Sequence, residues 1–181
     1  MPARPPGDRA LLDLQPRLEG PSLLLRPLQP ADRQALWEVS RDPLIWAQHP
    51  NPERATPAGF ESFFDAALDS SGALAVVDRA SGRIIGTSRY YDWDPEESSI
   101  AIGFTFLGRD YWGGTANREM KRLMIDHALK VVRTVWFHVA TSNLRSRRAM
   151  EKIGARLSHQ APRPAGGPII DFCYYRIDRE G

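Results

Sequence analysis

Apolar and polar residues recur along this chain at the periods of both strands and helices. In the segment SIAIGFTF, residues 99–106, large and small side chains alternate with a period of two, which is typical of a strand. One face carries Ile100, Ile102, Phe104 and Phe106, and the other carries Ala101, Gly103 and Thr105. The pattern predicts a strand here.

Helices are predicted where apolar residues recur three or four positions apart. One follows Pro30, with Leu36 and Val39 on one side, and a second covers residues 57–68. The longest covers residues 116–132, and its apolar stripe comprises Met120, Leu123, Met124, Ala128 and Val131. Charged residues lie off that stripe, namely Arg118, Lys121, Arg122 and Lys130.

The predicted elements run in the order β-α-α-β-β-β-α-β-α-β. A strand at 23–26 comes first, a hairpin turns at RASGR (79–83), and later strands cover 98–107, 133–140 and 166–177. This order predicts an α/β (α+β) fold with a mixed sheet, instead of a plain doubly wound one. Residues 1–20 are rich in Pro, Arg and Gly, so we expect a loose N-terminal arm before one domain spanning 21–178.

Composition narrows the classes of function. The chain has 181 residues and a formal net charge of +2, too small to favour a general nucleic-acid or membrane-surface role. Cys173 is the sole cysteine, so neither an intramolecular disulfide nor a cysteine metal site is expected. No apolar run reaches the ~18 residues of a membrane span, and the start lacks a signal-peptide core. We expect a reducing, cytoplasmic setting.

The segment DYWGGTAN combines a tight turn with the start of the longest helix. Trp112, Gly113, Gly114, Thr115 and Ala116 offer consecutive backbone N–H groups, and the two glycines carry no side chain that would keep a ligand away. A helix start has unpaired N–H groups and a partial positive charge, which together favour phosphates. Asn117 continues this segment. The alternative is a purely structural strand-to-helix turn.

A second motif, TSNLRSRRAMEKIGA, starts the short helix near residue 143. Asn143 stands at the expected N-cap, with Ser146 three residues later, and capping alone would explain both. Arg145, Arg147 and Arg148 form a basic cluster. That cluster is either a solvated face or a contact for phosphates, with Arg147 or Arg148 favoured for the second role.

These two motifs, in this order, resemble the GNAT superfamily of acyl-CoA-dependent N-acyltransferases, in particular its ribosomal-protein (RimJ/RimL-like) branch. The resemblance runs from about residue 22 to residue 177. It implies one mixed, splayed sheet of six to seven strands flanked by about four helices. Acyl-CoA would lie in the splay between the strands at 98–107 and 134–140. No metal is implied.

The resemblance also implies site residues. The turn from Trp112 to Asn117 resembles the loop that holds the CoA diphosphate, although Thr115 and Asn117 replace the glycine and alanine common there. Asn143 and Ser146 would lie beside the pantetheine and its thiol, and Arg147 beside the phosphates. The strand backbone at Phe104, Thr105 and Phe106 would hold the thioester oxygen, with Gly103 permitting a bulge. Ser146 is the candidate general acid, because Met150 occupies the position of a tyrosine used by other relatives.

The general base of the branch is missing. Ala101 stands where a glutamate is common, and Glu97 could act only through a water molecule. A site without a strong base suits an α-amine, whose pKa of about 7.7–8 leaves a sizeable neutral fraction, better than a lysine amine with a pKa of about 10.4. We therefore predict transfer of an acetyl group from acetyl-CoA to a protein N-terminus or a small amino compound, by direct attack and a tetrahedral intermediate.

Two other functions stay open at this point. One is a non-catalytic acyl-CoA-binding regulatory domain, which Ala101 and Met150 would suit. The other is an acetyltransferase of an aminoglycoside-like metabolite. A homodimer is one option for assembly. His138, on the strand beside the proposed thiol site, is the histidine most worth substituting, and Trp46 is a candidate contact for the acceptor.

Overall fold

The computed structural model describes residues 11–181, which form one eight-stranded sheet with four α-helices. The strands lie in the order β1-β2-β3-β4-β5-β6-β8-β7. Their bounds are β1 Leu18–Glu19, β2 Leu23–Pro27, β3 Ala73–Asp78, β4 Ile84–Asp94, β5 Ser99–Leu107, β6 Thr134–Ala140, β7 Arg156–Pro164 and β8 Ile169–Asp178. The helices are α1 Arg33–Ser40, α2 Pro57–Asp69, α3 Ala116–Ala128 and α4 Leu144–Lys152.

The sheet separates two hydrophobic cores. On one face α3 and α4 pack through Met120, Met124 and Met150 against the side chains of the central strands. On the other face α1 and α2 bury Leu36 and the predicted aromatic stripe of α2, which consists of Phe60, Phe63, Phe64 and Ala67. The site described below lies where the sheet between these cores opens.

The opening is a consequence of strand pairing. Parallel β5 and β6 pair only from Ser99 opposite Thr134 to Ala101 opposite Trp136. Beyond that point β5 continues alongside β4, and β6 continues alongside β8. The two central strands therefore diverge, which confirms the predicted splay.

The sheet has two more strands than the predicted order contained, so the expected count of six to seven is wrong. The larger addition, β7, is exposed along nearly its whole length, so it has no apolar alternation to detect. It pairs on one side only, with β8, and contains Pro162 and Pro164, residues that an edge strand tolerates.

The other addition, β1, lies within the segment predicted to be a loose arm. There Leu18 pairs with Leu25, and Leu12 is buried in the core beneath α3. Residues 1–10 of that arm lie outside the described residues. Among residues 11–181, no helix is long and apolar enough to cross a bilayer.

Helix α3 is shorter than predicted, because it ends at Ala128 and not at residue 132. The chain tightens after it, since the Val131 N–H donates to the Ala128 carbonyl three residues back. The expectation that Lys121 lies off the buried stripe is also wrong: the side chain is buried in contact with β5. This lysine bears directly on the site.

Candidate active site

The strand that borders the opening carries a bulge. Arg89 pairs with Gly103 and Thr87 pairs with Phe106, so β5 has one residue more than β4 between these pairs. Phe104, inside the bulge, has φ +51°, which is strained for an aromatic residue. A bulge was expected at Gly103, and the bulge in the structure begins immediately after this residue. That glycine instead allows close packing, because a Cβ there would lie 2.9 Å from the Tyr91 ring.

A buried lysine supports the bulge from the α3 side. Lys121 Nζ donates a hydrogen bond to Thr105 Oγ1 at 2.7 Å, and Ser88 Oγ lies 2.8 Å from the same hydroxyl. Only 3% of Lys121 is exposed, and burial lowers its pKa to about 7. The Thr105 side chain therefore points away from the α1–α2 face and helps to fix the strained backbone of the bulge.

The glycine turn presents unpaired backbone donors. Gly113 has φ +71°, and no atom lies within 4 Å of a Cβ built at Gly113 or Gly114. Within residues 11–181, the N–H groups of residues 113–118 have no backbone or side-chain acceptor, and the first helical bond is from Glu119 N–H to the Thr115 carbonyl. Thr115 makes no capping bond. Trp112 differs from expectation, because its N–H already donates to the Arg109 carbonyl at 3.0 Å.

The second motif forms the start of α4. Asn143 is buried and its side chain accepts a hydrogen bond from the Ser146 N–H at 3.2 Å, so the expected N-cap is present. Ser146 is half-buried in the first turn, and its hydroxyl has no hydrogen-bond partner among the described residues. Met150 is buried one turn later. Arg147 is turned towards β8, where it donates to the Tyr175 hydroxyl and the Thr141 carbonyl.

Arg145 connects the two motifs across the opening. Its guanidinium carbon lies 3.9 Å from the centre of the Trp112 ring, and its Nη2 donates to the Ile45 carbonyl at 2.8 Å. The glycine turn and the start of α4 thus face one another, although about thirty residues separate them in the chain. Within the basic cluster of α4, the residue that contacts the turn is Arg145, whereas Arg147 or Arg148 was favoured.

At the base of the splay lies a cleft of about 310 Å³ that includes Ala101, the position of the missing glutamate. His138 lines it, and its Nδ1 lies 2.8 Å from both the Tyr91 hydroxyl and Arg163 Nη1. Burial and the Arg163 charge lower the pKa of His138 to about 4. The imidazole is therefore neutral, with Nδ1 accepting and the proton on Nε2.

Glu97 does not lie at this opening. It is exposed in the turn before β5, where its N–H donates to Asp94. Phe104 lies five residues beyond the start of β5, roughly 16 Å along an extended strand. Ser146 follows the carboxyl end of β6, which is parallel to β5, whereas Glu97 precedes the amino end of β5. These two residues, which were predicted to be catalytic, are therefore not brought together. No group of three potential metal ligands occurs within the described part of the chain.

The α1–α2 face of the bulge carries residues that the sequence reasoning missed. The Arg89 guanidinium lies 4.0 Å from the centre of the Phe104 ring, and Arg54 lies 5.8 Å from it. One signal was available, because Arg89 is the only charged residue between Ile84 and Tyr91 in β4. Trp46, by contrast, is buried and donates to the Ser40 carbonyl, so it belongs to the core.

Known proteins resemble this chain in sequence and in fold. Residues 22–156 match the family model described as "Acetyltransferase (GNAT) domain". No curated protein sequence matches this chain.

Solved structures share the fold. A GCN5-related N-acetyltransferase from Brucella melitensis has a TM-score of 0.81 at 24% identity, over 91% of this chain and 79% of that one. A GNAT-family acetyltransferase from Bacillus anthracis gives 0.74 at 20%, over 92% and 100%. A spermidine N-acetyltransferase from Vibrio cholerae, in complex with CoA and spermine, gives 0.68 at 15%, over 88% and 97%.

Proposed function

Because the chain belongs to the GNAT acetyltransferase family and is an acetyl-CoA-dependent acyltransferase, we propose that it acetylates an α-amine, on a small amino compound or a protein N-terminus. One observation carries the use of acetyl-CoA here. The unpaired N–H groups of residues 113–118 directly follow Trp112, which stacks on Arg145 at the start of α4, and the sheet opens between β5 and β6. The two motifs that the sequence predicted to bind CoA are thus brought together.

In this proposal the main chain binds the diphosphate. Gly113 and Gly114 provide the close approach, and Thr115, Ala116 and Asn117 continue the row of donors into α3. Acetyl-CoA, when bound, supplies the thioester carbonyl for attack and a thiolate as the leaving group. The bulge leaves Phe104 and Thr105 without partners on β4, so their backbone is available to the thioester oxygen.

Ser146 is the proposed proton donor to the thiolate. Its hydroxyl has no partner among the described residues, and the Asn143 cap fixes the helical turn that carries it. A thiol of pKa about 8.5 leaves readily with little help. The Asn-x-x-Ser arrangement is also our reason for placing the chain in the RimJ/RimL-like branch.

The charges around the acceptor cleft favour an amine that arrives neutral. Ala101 supplies no carboxylate, and the Nδ1 of neutral His138 is occupied by two donors. The two carboxylates that line the cleft are already engaged, because Asp92 is paired with Arg163 and Asp94 accepts from the N–H groups of Glu96 and Glu97. An α-amine, with a pKa of about 7.7–8, needs a small further shift to be mostly neutral. A lysine amine, with a pKa of about 10.4, would need its pKa to be lowered much further.

Mass spectrometry tests the acceptor class. The protein is incubated with acetyl-CoA and an equimolar panel of α-amino compounds, peptides with free N-termini, N-blocked lysine peptides and polyamines. We expect acetylation at α-amines, with a rate that rises with pH to about pH 8. Robust acetylation of internal lysines alone would refute the proposal.

A further inference from the structure

A pair of arginines beside the bulge lacks the partners that buried guanidinium groups usually have. Arg89 is 7% exposed, and its Nε and Nη2 are buried with no hydrogen-bond partner in the described part of the chain. Leaving a buried polar group unpaired is costly, and a charged group more so. By contrast, Arg26, Arg163 and Arg176 all form ion pairs with aspartates.

Arg54, the second arginine beside the bulge, is half-buried. Neither Arg54 nor Arg89 forms an ion pair within the described residues. Among residues 11–181, the one hydrogen-bonding neighbour of the Arg54 guanidinium is His49 Nε2, 3.5 Å from Nη1. His49 accepts from the Asn51 N–H at Nδ1, and burial lowers its pKa to about 3, so the neutral ring carries its proton on Nε2. That nitrogen cannot accept from Arg54.

Both arginines border the bulge at Phe104. The Arg89 guanidinium lies 4.0 Å and that of Arg54 5.8 Å from the Phe104 ring, and both also lie near Phe63. Phe104 itself is 37% exposed, which makes this the part of the bulge that a ligand can reach. Burial and mutual repulsion lower the pKa of Arg54, and burial that of Arg89, to about 10, so both are cations at neutral pH.

We propose that Arg89 and Arg54 bind a carboxylate of the acceptor, so that the acceptor is an α-amino acid or a compound with the same pairing of amine and carboxylate. This inference rests on the proposed function. A guanidinium binds a carboxylate through two parallel hydrogen bonds, which would satisfy the unpartnered nitrogens. The phenyl ring of Phe104 separates this anion subsite from the strand backbone proposed to hold the thioester.

The chemistry disfavours polyamines as acceptors. Two unpaired cations beside the acceptor repel a ligand that carries only positive charges. A carboxylate could also belong to the acyl group, as in succinyl-CoA. We assign it to the acceptor because Arg54 precedes α2, on the face of the sheet opposite α3, whose first turn is proposed to bind the diphosphate.

The test compares α-amino acids with their α-amides, which differ only in the carboxylate. A mixture of α-amino acids and a mixture of the corresponding α-amides are each incubated with the protein and acetyl-CoA. For the amino acid and amide that react best, kcat/KM is then measured for both compounds. The wild-type protein should prefer the acid by about tenfold or more, and Arg89→Met or Arg54→Met should remove that preference through KM. Arg33→Met is the matched control, since Arg33 also stacks on an aromatic ring of α2 but is paired with Glu61 and Asp65.

Two results would overturn the assignment: equal use of acids and amides by the wild-type protein, or an unchanged preference in Arg89→Met. A preference of the wild-type protein for succinyl-CoA that Arg89→Met abolishes would assign the carboxylate to the acyl group and also overturn it. Both variants should keep the wild-type affinity for CoA and unfold at no lower temperature, because methionine can fill the space of the arginine stem.

A binding measurement separates this proposal from the proposed function. The N-acetylated acids and amides are tested for thermal stabilisation of the CoA complex, which requires no turnover. Stabilisation by the acids alone, lost in Arg89→Met, supports the anion subsite even if no acetyl transfer to amino acids is found. Absence of stabilisation by the acids overturns the subsite even if transfer to other α-amines is found.

Discussion

The two halves of the site are built from different parts of the chain. On the cofactor side, the donors are main-chain N–H groups of residues 113–118, which are consecutive in sequence. On the proposed acceptor side, the candidate ligand contacts are side chains, such as Arg54, Arg89 and His138, and they come from three separate elements. We therefore expect the first half to tolerate changes to the side chains that flank its two glycines, and the second half to be sensitive to side-chain changes. A family can keep one cofactor in this way while its acceptors differ.

This difference explains what could be predicted from sequence. The glycine turn and the Asn143 cap were found because each depends on residues within one short segment, where local rules apply. The Lys121 contact was missed because a helical pattern alone places a lysine in solvent. Its burial depends on Thr105 and Ser88, hydroxyls on two other strands.

The fold shows the same limit. Strand β5 and helix α2 were predicted because their buried faces are regular, whereas exposed β7 was not. Neither Arg54 nor Arg89, the arginines of the proposed anion subsite, belongs to a recognisable sequence motif. Only the pairing of β4 with β5 places Arg89 beside Phe104.

The largest effect should come from closing the main-chain site. Gly114→Val places a branched side chain where the diphosphate is proposed to bind, while no protein atom lies within 4 Å of the new Cβ. We expect the affinity for CoA to fall about a hundredfold, because one to two charge-assisted hydrogen bonds to the diphosphate would be lost. Isothermal titration calorimetry measures this affinity.

Thr115→Val sharpens this comparison, because it changes only a side chain that makes no capping bond. Its CoA affinity should stay within about threefold of wild type. If Thr115→Val weakened CoA as much as Gly114→Val does, the binding would depend on side chains and the contrast between the halves would be lost.

A smaller effect, on stability, should come from substituting Lys121, which supports the bulge between the two halves of the site. The pKa of Lys121 is lowered to about 7 in the folded protein and is about 10.4 when unfolded, so the unfolded chain binds more protons between these values. The free energy of unfolding should therefore rise with pH across that window. Lys121→Met should lose this rise, on the order of 3 kcal/mol, in urea unfolding curves from pH 6.5 to 9.5.

The exposed Lys130→Met variant controls for general charge effects, because its side chain lies in solvent. It should retain the wild-type pH dependence. A wild-type stability that is flat or falls between pH 7 and 9.5, with Lys121→Met behaving identically, would contradict the burial of an unpaired lysine beneath the bulge.

The smallest effect should come from Ser146→Ala. The thiolate leaves with little help, so we expect kcat to fall by about tenfold or less with KM for acetyl-CoA unchanged. Steady-state kinetics measure this, with Ser142→Ala as the control variant, because Ser142 is an exposed residue just before the Asn143 cap. An unchanged kcat in Ser146→Ala would assign the proton to water and leave Ser146 with a helical role alone.

Diphosphate binding by the glycine turn is tested most directly by titrating the ¹⁵N-labelled protein with CoA and following its backbone amide resonances. We expect the amide resonances of Gly113, Gly114 and Thr115 to shift most, and pantetheine, which lacks the diphosphate, to leave them largely in place. Saturation with CoA while these three resonances stay fixed would contradict a diphosphate held by the main chain of the glycine turn.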